Sequence, residues 1–309
     1  MLYTTARTTT LFAGALMGAV LINPPAAAAE DSATVILGVR NGTTMVTVDP
    51  ANPGAATAAP ITGLAPGDRL IGIDLRPADQ KVWGVGASGT LYTIAPGAGG
   101  TATVATAGPR LALNTDRSAV VPVGTAFGVD FNPAADLLRV VSDTGQDLRI
   151  AVADRPSTAA AAPGATAGTA FYDGGLKYAL AGDPADTKAP PTLVSTPDVN
   201  AGKIPRATAA AYDNNVAGTT STKLLVVDGN QSLLTLQNPP NAGILNTVGP
   251  LGVAGEVPSA FDIDAAGTGY GSFGSTLYTI NPGTGAATVV GSIGGGGLDG
   301  LTVLPGGNT

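Results

Sequence analysis

Leu91-Tyr92-Thr93-Ile94-Ala95-Pro96-Gly97 and Leu277-Tyr278-Thr279-Ile280-Asn281-Pro282-Gly283 are one phrase written twice near opposite ends of the chain, each followed by a run of Gly, Ala and Thr and then a valine. The phrase is a β-rich alternation closed by a Pro-Gly turn, so it reads as a strand with the turn that ends it. Its recurrence predicts an architecture assembled from copies of one supersecondary unit.

Aligning the rest of the sequence on this phrase extends the repetition. Units open with a small residue, a hydrophobic alternation and a turn residue: Gly72-Ile73-Asp74-Leu75, Gly128-Val129-Asp130-Phe131, a degenerate Ala209-Ala210-Ala211-Tyr212, Ala260-Phe261-Asp262-Ile263 and Gly300-Leu301-Thr302-Val303. Most openers precede a second apolar run (Val82 to Val85, Leu137 to Val141, Leu224 to Val227), a Gly, Ser, Asp or Asn turn, and a third run of which Leu91 to Ile94 is the model. A weaker fourth run, such as Ala287 to Val290, ends several units. The unit is an antiparallel meander of roughly 40 to 55 residues, the length of a propeller blade.

The last opener is followed by the end of the chain, which leaves its unit with one strand. Val35 to Val39, Met45 to Pro50 and Ala56 to Ala59 read as the second, third and fourth strands of that unit. The expectation is an all-β, five-bladed β-propeller closed by N- and C-terminal strands, since a ring built this way has no open edge. Residues 157–205 form the longest insertion. Its runs at 170–173 and 176–180 are read as outer strands of the second full unit or, in a six-bladed alternative, as an irregular further blade.

Composition removes much chemistry. Among 309 residues there are no Cys and no His. Thiolate and imidazole metal sites and the nucleophilic triads built on them are excluded. Charged residues make up 12 % and the net charge is −7, which gives no basic field for a nucleic acid. The 44 Gly and 24 Pro alternate with short Val, Ile, Leu and Thr runs, as expected of many strands joined by tight turns. No cofactor is called for, and any metal would be an oxygen-bound cation such as Ca²⁺.

Residues 1–29 read as a signal peptide: Arg7 is the positive region, residues 11–22 the apolar core of about a dozen residues, and Ala26 to Ala29 the small-residue cleavage end. The core is short against the about 20 residues of a membrane span. Residues 30–309 are then a single domain of a secreted or extracytoplasmic protein, expected to be a monomer with no membrane contact after cleavage.

The stretches at 128–133, 139–149, 211–215 and 237–243 resemble the bacterial exported family known as domain of unknown function 4394, and the likeness runs from about Thr34 to Pro305. Asp147 stands where similar sequences are expected to carry asparagine. The resemblance implies an exported bacterial protein with a propeller-like fold. It implies no activity.

Asp74, Asp130 and Asp262 occupy the same place in three openers, and equivalent positions of an innermost strand converge on a propeller's channel. Three readings follow: acceptors for backbone N–H groups where blades meet, a cation or ligand site, or catalytic carboxylates of a glycan hydrolase, a reaction that needs no histidine. The densest polar cluster is Arg139, Asp143, Gln146, Asp147 and Arg149. It is read as a hairpin ion-pair network, with Asp143 and Asp147 as weak candidates for Ca²⁺. Asp213, Asn214, Asn215, Asn238 and Asn241 are candidate ligand-binding residues, offering amides and a rigid proline turn. The Gly294 to Gly297 run is expected to be a flexible lead into the closing strand. The functional expectation is a non-catalytic extracellular binding module for a glycan, peptide or surface protein. The alternatives are the hydrolase and a Ca²⁺-stabilised structural protein of the envelope or matrix.

Overall fold

The computed structural model describes residues 34–96, 103–253 and 258–305; the expected signal peptide lies outside them. The described chain is all-β apart from short 3-10 turns such as Pro53–Ala55 and Pro240–Ala242. The first sheet holds β1 (Val35–Arg40), β2 (Thr44–Val48) and β3 (Thr57–Thr62), and then β4 (Leu70–Arg76), β5 (Lys81–Gly86), β6 (Thr90–Pro96) and β7 (Thr103–Arg110). Next come β8 (Ala112–Leu113), β9 (Phe127–Asn132), β10 (Leu137–Ser142), β11 (Asp147–Ile150) and β12 (Thr169–Tyr172). They are followed by β13 (Lys177–Tyr178), β14 (Ala207–Tyr212), β15 (Leu224–Asp228), β16 (Leu233–Gln237) and β17 (Ile244–Pro250). The chain ends in β18 (Pro258–Ile263), β19 (Gly269–Phe273), β20 (Thr276–Ile280), β21 (Ala287–Ser292) and β22 (Gly300–Leu304).

Sheet orders are β22-β1-β2-β3-β7-β6-β5-β4, β8-β12-β11-β10-β9, β13-β17-β16-β15-β14 and β18-β19-β20-β21. The first combines two meanders through a two-residue parallel contact of Ile61 with Thr103 and Thr62 with Val104. The repeated phrase is β6 and β20, each paired on both sides. β22 pairs antiparallel with β1, from Val35 opposite Leu304 to Val39 opposite Gly300. Strands from the two ends of the chain thus share one meander, as their incomplete sequences require.

β4, β9, β14, β18 and β22 neighbour one another in a closed cycle, giving a propeller-like arrangement. Burial falls from this centre outward. β14 and β22 are buried at every residue, whereas β3, β7 and β21 are largely exposed. An inner strand is covered on both faces by its neighbours, so it reads as a continuous run of apolar and small residues. An outer strand needs only partial cover, which is why its sequence signal is weak.

Apolar clusters join successive meanders. Val39 and Met45 meet Leu70 and Tyr92; Ile71 and Val85 meet Phe127 and Val140; Val141 meets Tyr178 and Tyr212. Leu225 and Leu234 meet Phe261 and Phe273, and Ala260 and Leu277 return to Ile36 and Leu301. Non-directional burial of this kind holds the meanders to one another.

Two expectations are corrected. The runs at 170–173 and 176–180 do not stay together: β12 completes the meander of β9 to β11, while β13 pairs in parallel with β17 of the next sheet. The glycine run before β22 is not a loose lead. The Arg40 guanidinium donates to the carbonyls of Gly294 (2.9 Å), Gly296 (2.7 Å) and Gly297 (3.2 Å) and clasps it.

Candidate functional site

The innermost strands meet at a throat lined by Gly72, Gly128, Ala209, Ala210, Ala260 and Gly300, among others, whose free volume is about 10 Å³. That is room for one water at most. The small residue that opens each unit is therefore the residue that lets neighbouring inner strands close on one another. A larger cavity of about 280 Å³ lies beyond the throat, at the C-terminal ends of the inner strands; its lining includes Asp74, Gln80, Asn215, Asp262, Asp264 and Thr302. At the opposite ends another cavity, about 370 Å³, is lined by Asn41, Arg69, Thr125 and Asp299 among others.

In a strand, residues two apart share a face, so three of the openers place an acid two positions beyond the small residue, where the other two carry Ala211 and Thr302. Asp74, Asp130 and Asp262 do converge: one carboxylate oxygen from each lies within 4.8 Å of the others. All three are only 1–2 % exposed.

Each acid also reaches the next inner strand. The Phe131 amide donates to Asp74 Oδ2 (2.7 Å), the Tyr212 amide to Asp130 Oδ1 (2.9 Å) and the Val303 amide to Asp262 Oδ2 (2.7 Å). Thr302 continues the pattern by accepting from the Leu75 amide (3.1 Å). In every case the donor is the residue that follows the next strand's own Asp, Ala or Thr. An inner edge has unpaired amides that pairing within its own sheet cannot satisfy, and this side-chain ladder satisfies them.

Ala211 breaks the ladder because it has no acceptor. There the Ile263 amide keeps only the bond to its own Asp262 Oδ1 (2.6 Å), which the Leu75 amide also makes to its own Asp74 Oδ1 (2.7 Å), and Asn215 spans the gap by donating to the Ile263 carbonyl (2.8 Å). Asn215 Nδ2 also approaches Asp262 Oδ1 (3.4 Å).

Electrostatically the cluster is unbalanced. Burial pushes Asp74 well above the usual carboxylate range, and the Asp262 charge adds to the shift. Asp130 rises for the same reasons, burial first and then the charges of Asp74 and Asp262. Burial pushes Asp262 up to about 6 against the amides of Val303 and Ile263, which favour its charged form. These three acids therefore hold more protons in the folded chain than in the unfolded chain above the ordinary aspartate pKa of 3.8, and their contribution to stability falls as pH rises. In EDTA, the urea midpoint is expected to decrease from pH 4 through pH 6; a midpoint that rises over this range would contradict the arrangement.

The second polar cluster is a closed ion-pair network. Arg139, 2 % exposed, donates to Asp147 Oδ1 (2.6 Å), Asp173 Oδ2 (2.6 Å), Asn241 Oδ1 (3.0 Å) and the Tyr212 hydroxyl (3.3 Å). Arg149 donates to Asp173 (2.7 Å) and packs over Phe171. Gln237 donates to Asp147 Oδ2 (2.6 Å). The expected pairing of Arg139 with Asp147 is present, while Arg149 takes Asp173, a partner that the hairpin's own sequence does not contain.

The candidate Ca²⁺ residues, Asp143 and Asp147, are each engaged by protein donors. Asp143 accepts from the Thr125 amide (2.9 Å) and hydroxyl (2.6 Å) and pairs with Arg206 (3.5 Å), while Asp147 is enclosed by Arg139 and Gln237. Their oxygens serve separate protein partners.

Of the candidate ligand-binding residues, Asn215 reaches the cavity. Asp213 closes its loop by accepting from the Lys223 amide (2.5 Å), and Asn214 adopts φ 56° and donates to the Ser221 carbonyl (3.1 Å). Asn238 donates to the Ala185 carbonyl (3.2 Å), and Asn241 accepts from Arg139. Gln80 and Asp264 line the cavity as well. Sequence reasoning missed Gln80 because it stands in a turn after β4, and Asp264 because it reads, like Asn132 and Asp213 at the same place in other units, as a turn residue that accepts backbone amides.

A protein of unknown function from Bacteroides caccae is similar at 10 % identity with a TM-score of 0.36, over 85 % of this chain and 73 % of that one. The Dos1 propeller is similar at 9 % identity with a TM-score of 0.35, over 84 % of this chain, which spans 61 % of the other. Comparison with curated proteins gives no match. A family model matches residues 44–302, and over that span the chain belongs to the family described as Domain of unknown function (DUF4394).

Proposed function

We propose that this chain is a five-bladed β-propeller, exported after removal of residues 1–29, that acts as a monomeric, non-catalytic binding module outside the cytoplasm. Its binding site is the mouth of the 280 Å³ cavity. The observation that carries this reading is the lining: Asp74, Asp262 and Asp264 stand with amides and hydroxyls, and no Lys or Arg is among the lining residues. An acidic concavity of this size selects a ligand rich in hydrogen-bond donors and positive charge, and it steers that ligand from a distance. A lysine or arginine side chain on an exposed segment of a partner protein has this chemistry.

Hydrolysis is not favoured. A glycosidase holds its two carboxyl groups about 5 to 9.5 Å apart on either side of an open substrate site. Here the oxygens are within 4.8 Å, are buried, and accept backbone amides.

The test is fluorescence anisotropy of the mature chain with Lys- and Arg-containing peptides, beside a glycan array. Basic peptides are expected to bind, with affinity that falls as salt rises. Asp264→Asn and Gln80→Asn are expected to weaken binding at least about tenfold each, the loss of one charge-assisted hydrogen bond. Binding of glycans alone, or peptide binding unaffected by both substitutions, would overturn the reading.

A further inference from the structure

We propose that Asp74, Asp130 and Asp262 form a calcium site at the floor of the cavity. The site shares Asp74 and Asp262 with the lining of the proposed ligand mouth, so a bound ion would leave the mouth's attraction for basic groups to Asp264.

Three carboxylates are gathered in a space from which water is nearly excluded. Their hydrogen-bond donors are backbone amides, Thr302 and Asn215, and among the described residues no Lys or Arg pairs with them. Amides satisfy lone pairs but supply no counter-charge, and buried carboxylates without one are costly.

Two buried oxygens point to what is missing. Asp130 Oδ2 receives no N–H or hydroxyl donor although the residue is 1 % exposed, its side chain meeting only the Asp262 carboxyl besides the Tyr212 amide, and Asn215 Oδ1 beside Asp262 has no partner either. All the other oxygens of the cluster accept at least one donor; Asp74 Oδ2 and Asp130 Oδ1 accept one amide each and so retain a lone pair for a ligand, while Asp74 Oδ1 accepts both the Leu75 amide and the Thr302 hydroxyl. Asp130 Oδ2 keeps both lone pairs.

Donor type and spacing select the ion. The sequence has no Cys or His, which disfavours zinc and copper. Carboxylate separations up to 4.8 Å suit an ion with bonds of about 2.3 to 2.6 Å better than magnesium, which needs about 2.0 to 2.1 Å and a near-ideal octahedron. Asp74 and Asp262 line the cavity, so an ion can enter from the mouth and keep waters on that side. The bound ion would tie three inner strands, β4, β9 and β18, to one centre.

The test is calorimetric titration of the EDTA-treated mature chain with CaCl₂, with thermal melting in parallel. One ion per chain is expected to bind, and saturation to raise the melting temperature by about 5 °C or more. Asp130→Asn keeps an oxygen for the Tyr212 amide and so should fold, yet it is expected to weaken calcium binding at least about tenfold because affinity follows ligand charge. No heat and no melting shift at millimolar CaCl₂ in the unsubstituted chain would overturn the proposal and leave protons to neutralise the cluster. Calcium binding unchanged in Asp130→Asn would overturn it too, by locating the ion elsewhere.

Discussion

Gly128→Val is expected to destabilise the fold by at least about 4 kcal/mol and to leave little folded protein, an effect in the extreme tail for single substitutions. A Cβ at this position would lie 2.4 Å from the Ala210 nitrogen, 2.5 Å from its Cβ and 2.7 Å from the Ala209 carbonyl carbon. Those atoms belong to β14, the next inner strand, so relief requires moving a backbone that is itself packed against β18. Ordinary overpacking costs about 1 to 3 kcal/mol because side chains yield; here mostly backbone would have to. Gly72→Val is expected to cost less, since its nearest obstacles are the methyls and Cβ of Val129. Gly54→Ala, whose Cβ would meet nothing nearer than 3.8 Å, is expected to stay within about 0.5 kcal/mol. Urea denaturation of the three variants checks the order. Equal effects at Gly128 and Gly54 would mean that the inner strands are not in close contact.

Arg139→Met is expected to destabilise by about 3 to 5 kcal/mol, the cost of leaving buried partners without their counter-charge. For a chain of this size the melting temperature should fall by about 10 °C. The loss is not that of one ion pair. Arg139 faces Asp147 and Asp173 together, and both are nearly inaccessible to water, so removing it strands Asp147 and leaves Asp173 with Arg149 alone. Asp147 already stands at about 6, raised by burial and held down by Arg139. Neutralising the acids should therefore recover stability: Arg139→Met combined with Asp147→Asn and Asp173→Asn is expected to melt above the single variant. A single variant that loses under about 1 kcal/mol, or a triple variant that melts lower, would show that the network is held by other groups.

The two polar clusters differ in how far the sequence reveals them. Asp74, Asp130 and Asp262 are legible because they sit at one position of a repeated unit, and repetition turns sequence equivalence into spatial convergence. Their bonds to Phe131, Tyr212 and Val303 follow from the same equivalence. Arg139 is different. Its partners Asp173 and Asn241 lie beyond the hairpin, one in the outer strand region of its own sheet and one in a turn of the next, and no periodicity links them. The Arg40 clasp on Gly294 to Gly297 is hidden for a similar reason: a guanidinium that binds carbonyls leaves no mark on the sequence of the segment it holds. The division of 170–180 between two sheets was also illegible, because β13 has only two paired residues, too few to carry a pattern.

The most direct test of the aspartate ladder is amide hydrogen exchange at Phe131, Tyr212 and Val303. These amides lie on inner strand edges and are predicted to exchange as slowly as the core, because each donates to the acid of the neighbouring strand. Asp74→Ala is predicted to release the Phe131 amide selectively while Tyr212 and Val303 stay protected. Fast exchange of all three amides in the unsubstituted chain, or a Phe131 amide that remains protected in Asp74→Ala, would contradict it.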